Sequence, residues 1–239
     1  MKRNLFYILI FLAVFACKKS NTTYKPLPAT MHSTAPIDSG YNYSFGVSKA
    51  QTIISGSLTN TFVSAVACLS SIPTGICNSS TAVKVNSVNL NGTNLKFDSY
   101  HYIDTTGSIS VPPIIWTVNG ANGIPSFTYS TTITFATYTG YNSLPDTIFR
   151  NQATTINTIG VSNADRMNVT INDGTATFAF GTSNGTTSST FPASALSQLQ
   201  ATNTGTLYVE LENNYVQTIN GKSAASSYQY QVTKTIVIK

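Results

Sequence analysis

Two carboxylates that lie two residues apart, Glu210 and Glu212, are the first candidates for chemistry in this sequence. In a β-strand, residues two apart point to the same face, so both carboxylates would share one surface. Glycoside hydrolysis uses a pair of carboxylates that flank the scissile bond at roughly 5–9.5 Å. Charged side chains also protect the exposed edges of sheets. We favour this second interpretation of the pair.

A possible nucleophile lies in the segment 181–185 (GTSNG), which matches the pattern GxSxG. A catalytic serine of that type needs a strand-to-helix turn and a histidine later in the chain. The segment is followed by Thr-rich sequence, and the chain has no histidine beyond His101. The pattern therefore predicts a glycine-rich hairpin turn.

Metal-binding chemistry has few candidate ligands. His32 and His101 are far apart, and neither has a neighbour at ligand spacing, so we expect no zinc site. Asp165 and Asp173 flank a predicted strand and could approach a Ca²⁺ ion, but turn and cap roles are more common for such residues. We predict no metal and no cofactor.

Aromatic side chains offer a possible ligand platform. Tyr100 and Tyr102 flank His101 in a predicted strand, and Tyr138 and Tyr141 flank a predicted turn. Tyrosines of this kind can bind a ligand, but they are also ordinary residues of a sandwich core. Both interpretations stay open from the sequence.

The composition limits the function further. Only 9% of the residues are charged, whereas 41% are hydrophobic and 11% are aromatic. Ordinary soluble domains are roughly 25% charged. The apolar fraction is enough for a packed core, and the scarcity of acid–base groups argues against an enzyme. Although the net charge is +5, the basic residues of the body are scattered singly, so we expect no nucleic-acid partner.

The N-terminus has the pattern of a secretory signal. Lys2 and Arg3 precede an apolar run at 5–16 (LFYILIFLAVFA), whose twelve residues suit a signal peptide and are too few to span a membrane. Residues 14–17 (VFAC) resemble the bacterial lipobox. The resemblance implies that 1–16 is removed and that Cys17 becomes a lipidated N-terminus anchored in the membrane. Lys18, in place of an aspartate, favours the outer membrane.

Two further cysteines, Cys68 and Cys77, would then lie in an oxidising compartment. Eight residues separate them, including Pro73 and Gly75, which can turn the chain back. A disulfide is expected here, and two buried free thiols are the alternative.

The rest of the chain predicts an all-β protein. Residues 17–39 are rich in proline and lack apolar periodicity, which predicts a flexible tether. From residue 41, short alternating apolar stretches are separated by turn dipeptides such as Asn91-Gly92 and Asn220-Gly221, a pattern typical of antiparallel β-sandwiches. We predict two β domains, 40–125 and 126–239, and a short helix within 191–200 (FPASALSQLQ).

Two resemblances bear on the predicted domains. The second domain is similar in its strand pattern to immunoglobulin-like sandwiches. The segments 88–95 (VNLNGTNL) and 116–120 (WTVNG) resemble parts of outer-membrane lipoproteins of β-sandwich type. Neither resemblance implies an activity.

Thr105 and Thr147 each directly follow an aspartate. The two short segments resemble the O-glycosylation motif of some Gram-negative envelope proteins. Together, these observations predict a non-enzymatic envelope lipoprotein that acts as an interaction, adhesion or structural module. Its partner would be an envelope protein or a glycan. A carbohydrate-binding accessory lipoprotein is the alternative.

Overall fold

A computed structural model describes residues 31–32, 41–73, 80–104, 106–107, 109, 111, 113–131, 135–175 and 178–239. The described chain is nearly all β, with several antiparallel sheets packed together, which confirms the predicted fold class. Its strands, in chain order, are β1 (Met31–His32), β2 (Tyr43–Ile54), β3 (Ser57–Leu69), β4 (Ser87–Leu90), β5 (Thr93–Asn94), β6 (Lys96–Asp98), β7 (His101–Ile103), β8 (Ile114–Asn119), β9 (Phe127–Thr131), β10 (Thr137–Tyr138), β11 (Thr147–Ile148), β12 (Thr154–Asn157), β13 (Val161–Ser162), β14 (Arg166–Asn172), β15 (Phe178–Phe180), β16 (Thr182–Asn184), β17 (Ser188–Phe191), β18 (Thr202–Ile219) and β19 (Lys222–Ile238).

The fold is built on a ten-stranded sheet, which we call the main sheet. Its strand order is β15-β14-β18-β19-β2-β3-β7-β6, with β1 beside β18 and β11 beside β19. Among the described strands, β18 and β19 form the longest pairing, and their hairpin closes at Asn220 and Gly221, both with positive φ. Asn-Gly suits such a turn because both residues tolerate this conformation. The predicted turn is confirmed.

The main sheet joins distant parts of the chain. β2 pairs with β19 in parallel, from Tyr43 opposite Ala224 to Thr52 opposite Thr233. Strands from both predicted domains therefore pair in one sheet. Whether 40–125 and 126–239 fold independently stays a prediction.

Two hydrophobic cores lie side by side on one face of the main sheet. The sheet of β5-β4-β8-β9 covers the first core, in which Trp116 packs 5.0 Å from Phe45 between ring centroids. The second core is covered by the sheet β12-β17-β16, the pair β10-β13 and the helix α1 (Ala193–Leu196), which supplies Leu196. The short helix predicted within 191–200 is confirmed as a single turn that begins after Pro192. The opposite face of the main sheet, which we call the back face, points away from both cores.

Candidate ligand-binding face

The two tyrosine pairs predicted as candidate ligand sites, Tyr100 with Tyr102 and Tyr138 with Tyr141, each place one tyrosine in a core, and the two cores are different. Tyr102 belongs to the first core and Tyr138 to the second, and both are buried. The Tyr102 hydroxyl bonds to the backbone of Val85, and burial raises the pKa of Tyr138 to about 12. Tyr100 packs edge-on against His101, and Tyr141 packs edge-on against Tyr138. The core interpretation therefore describes Tyr102 and Tyr138, while Tyr100 and Tyr141 are half-buried.

Glu210 and Glu212 share one face of β18, as predicted, but they are not edge charges. β18 lies between β14 and β19, so the edge interpretation is wrong. Glu212 accepts a hydrogen bond from Ser227 Oγ at 2.9 Å and lies 3.9 Å from an Arg166 nitrogen. Glu210 accepts a bond from Asn168 Nδ2 at 3.2 Å, and burial raises the pKa of its carboxyl.

Asp165 and Asp173 stand at opposite ends of β14, about 25 Å apart at the rise of a strand. They do not share a calcium site. Asp165 accepts a bond from the Asn214 backbone N–H at 2.9 Å, and Asp173 accepts bonds from Thr175 and from the Gln200 N–H. These are the turn and cap roles. Within the described ranges, no group of three or more His, Cys, Asp or Glu side chains could hold a metal ion.

The segment 181–185 forms a hairpin rather than a nucleophile turn. It contributes β16 and the positive-φ Gly185, after which the chain returns as β17. The hairpin prediction is confirmed. A strand-to-helix turn, which a catalytic serine would need, does not form at this position.

The predicted modification sites are described only in part. Thr105, Cys17 and Cys77 lie outside the described residues. Thr147 is half-buried in β11, and the preceding Asp146 forms an ion pair with Lys234 at 2.8 Å. Cys68 lies in β3 and is disulfide-bonded. Its pairing with Cys77 stays a prediction, as does glycosylation at Thr105 and Thr147.

The back face carries an aromatic pair that the sequence analysis did not single out. In β15, Ala179 points into the second core, so Phe178 and Phe180 point to the back face. Their rings stack at 6.3 Å between centroids with an interplanar angle of 23°, and Phe180 is 68% exposed. The available sequence signal was the alternation of two large residues around a small one, and this alternation does not fix which of them faces the core.

Polar side chains continue the back face beside this aromatic pair. Phe180 pairs with Thr170, which pairs with Tyr208, which pairs with Thr233. The next row contains Asn168, Glu210 and Gln231. The Gln231 amide donates to Thr233 at 3.3 Å, as Asn168 does to Glu210. The back face thus places the exposed Phe180 ring and the half-buried Phe178 ring beside hydroxyl and amide groups and the carboxyl of Glu210.

Comparison with protein-family models, with curated proteins and with solved structures finds no match for this chain. The fold and the side chains themselves therefore carry the functional argument. Across the described part of the chain, no helix combines the length and the apolar character that crossing a membrane requires.

Proposed function

We propose that this protein is a lipid-anchored protein of the bacterial cell envelope. The observation that carries the proposal is the N-terminal pattern, in which two cations and twelve apolar residues precede Cys17. Acylation of Cys17 would hold the chain on the membrane without a spanning helix, since each buried CH₂ of an acyl chain contributes about 0.8 kcal/mol. Lys18 supports placement in the outer membrane.

The β-sandwich body acts in this proposal as a non-enzymatic interaction, adhesion or structural module. Support comes from the positions of the carboxylates, which have partners within the fold. Asp104 accepts bonds from the Thr106 and Gly107 backbones, and Asp173 joins its own turn to Gln200. Such carboxylates fix loops on a rigid scaffold, and loops and faces positioned in this way are common binding sites.

The anchor is tested by treating cells with globomycin, which inhibits the peptidase that cleaves before a lipidated cysteine. We expect unprocessed precursor to accumulate, and we expect labelled palmitate to enter the wild-type chain but not Cys17→Ala. A Lys18→Ala variant is the matched control and should still be labelled. Absence of both precursor and label would overturn the proposed anchor.

The interaction role is tested separately by crosslinking in intact envelopes, followed by purification of the full-length chain. Surface proteolysis of the same cells shows which side of the membrane the body faces. We expect defined partners to copurify with wild type, whereas recovery of the chain alone would argue against an interaction module.

A further inference from the structure

We propose that the back face around Phe178, Phe180 and Tyr208 binds a neutral polysaccharide chain. This inference rests on the proposed interaction role and names the ligand class that one surface would take. The rings would stack on the apolar C–H faces of sugar units, and the neighbouring amides and hydroxyls would bond to the sugar hydroxyls.

The exposure of the aromatic pair is the first argument. Phe180 is 68% exposed, and the second core is filled without it, because Ala179 is the residue of β15 that points inward. β15 ends the main sheet, and exposed apolar edges invite aggregation. The opposite edge strand, β6, carries Lys96 and Asp98, which protect it. Phe180 differs from a singly exposed apolar residue because the Phe178 ring stacks beside it on an edge strand without such protection, and this pair indicates a surface that meets a partner.

The spacing of the rings and the polar groups is the second argument. Phe180 and Tyr208 lie two strands apart in one row, which corresponds to about 10 Å. Thr170 lies between them, and Asn168 lies one row further along. A ligand that lies across the strands would therefore contact rings and hydrogen-bonding groups together. A chain of sugar units suits such a surface because it presents both apolar C–H faces and hydroxyls.

The charge of the back face is the third argument, because it favours a neutral ligand. In the two rows that start at Thr170 and Asn168, Glu210 is the one side chain of Asp, Glu, Lys, Arg or His type. Burial raises the pKa of its carboxyl, which disfavours the charged form. Arg166, in the next row, lies beside Glu212. Phosphate or nucleic-acid ligands would require unpaired cations here.

The proposal is tested by calorimetric titration of the purified full chain, in detergent, with cellohexaose, xylohexaose, mannohexaose and chitohexaose. Polygalacturonate serves as the charged comparison. We expect at least one neutral hexasaccharide to bind and polygalacturonate not to bind. Phe180→Ala should weaken the binding about two- to twelvefold, because a stacked aromatic contact contributes about 0.5–1.5 kcal/mol.

Two variants control the titration. Ile159 is 70% exposed, much like Phe180, but it lies in the loop after β12. Strand β12 belongs to the sheet that covers the second core, so Ile159→Ala removes an exposed apolar side chain away from the back face. It should bind like wild type. Tyr208→Phe keeps the ring and should retain most of the binding, whereas Tyr208→Leu should lose it.

Failure of all four neutral hexasaccharides to bind would overturn the glycan proposal, as would equal binding by Phe180→Ala and Ile159→Ala. The proposed anchor and interaction role would stand in either case, because palmitate labelling and crosslinking measure them without a sugar. Loss of the label with retained sugar binding would instead overturn the anchor alone.

Discussion

Removing the hydroxyl from Tyr102 should destabilise the fold, whereas removing it from Tyr43, in the same first core, should not. Tyr43 and Tyr102 are both buried in this core. Tyr102 Oη donates to the Val85 carbonyl at 2.8 Å and accepts from the Val85 N–H at 2.7 Å. Tyr43 Oη has no hydrogen-bond partner in the part of the chain that the structure describes. The perturbation is the pair of variants Tyr102→Phe and Tyr43→Phe.

The expected magnitudes follow from these contacts. Tyr102→Phe removes both bonds to Val85 and leaves a buried N–H and a buried carbonyl, at about 1–3 kcal/mol for each unpaired group. The free energy of unfolding should fall by about 2–6 kcal/mol. Tyr43→Phe removes a hydroxyl whose burial is not compensated by a bond, so the free energy of unfolding should stay equal or rise by about 1 kcal/mol. In a chain of this length, 1 kcal/mol shifts Tm by about 2–4 °C.

The assay is urea unfolding of the full chain, followed by the fluorescence of Trp116. This is the only tryptophan in the sequence, and it is buried in the same core. The slope of the transition should be equal in the variants and the wild type, so that a shifted midpoint reports stability alone. If Tyr102→Phe is no more destabilising than Tyr43→Phe, the reasoning from the hydrogen bonds is refuted.

Three further predictions concern ionisation and crosslinking. Because the pKa of Glu210 is raised by burial, Glu210→Gln should stabilise the fold at neutral pH. This gain should vanish below the unfolded pKa of 4.5, where Glu210 is protonated in both the folded and the unfolded wild type. Equal urea midpoints of variant and wild type at neutral pH would contradict the prediction. The pKa of Tyr138 is raised from 10.0 to about 12, so the unfolded chain loses this proton at a lower pH than the folded chain. The free energy of unfolding should therefore fall as the pH rises from 10 towards 12. If Tyr138→Phe leaves this pH dependence unchanged, the assignment to Tyr138 is wrong. Alkylation of the native full chain should label neither Cys68 nor Cys77 until reductant is added, and Cys77→Ser should lose about 2.5 kcal/mol of stability on the loop-entropy model; labelling without reductant would contradict the bridge.

The sequence predicted turns better than it predicted which strands pair, for a physical reason. Asn91-Gly92 was predicted as a turn, and both residues adopt positive φ between β4 and β5. Such turns depend on local chemistry alone. The pairing of β2 with β19 joins residues about 180 positions apart, and a period-2 pattern does not specify which strand lies beside it. The shared main sheet was therefore beyond sequence reasoning.

The candidate site was missed because strand phase is ambiguous when both faces carry apolar residues. In β15 either Ala179 or the two flanking phenylalanines could have faced the core. Only the packing decides, since Ile171 and Leu207 already fill the second core where β15 approaches it. Alternation in β7 and β10 turns Tyr102 and Tyr138 into the two cores, while ligand binding by Tyr100 and Tyr141 stays a prediction.

The scarcity of charge, first an argument against catalysis, also explains the character of the back face. Asp104 and Asp173 fix turns, Asp146 pairs with Lys234, and Glu212 lies beside Arg166. On the back face, the rows that start at Thr170 and Asn168 carry threonine and side-chain amides beside Glu210, whose charged form is disfavoured by burial. In the proposed glycan site, recognition would therefore rest on short-range stacking and hydrogen bonding.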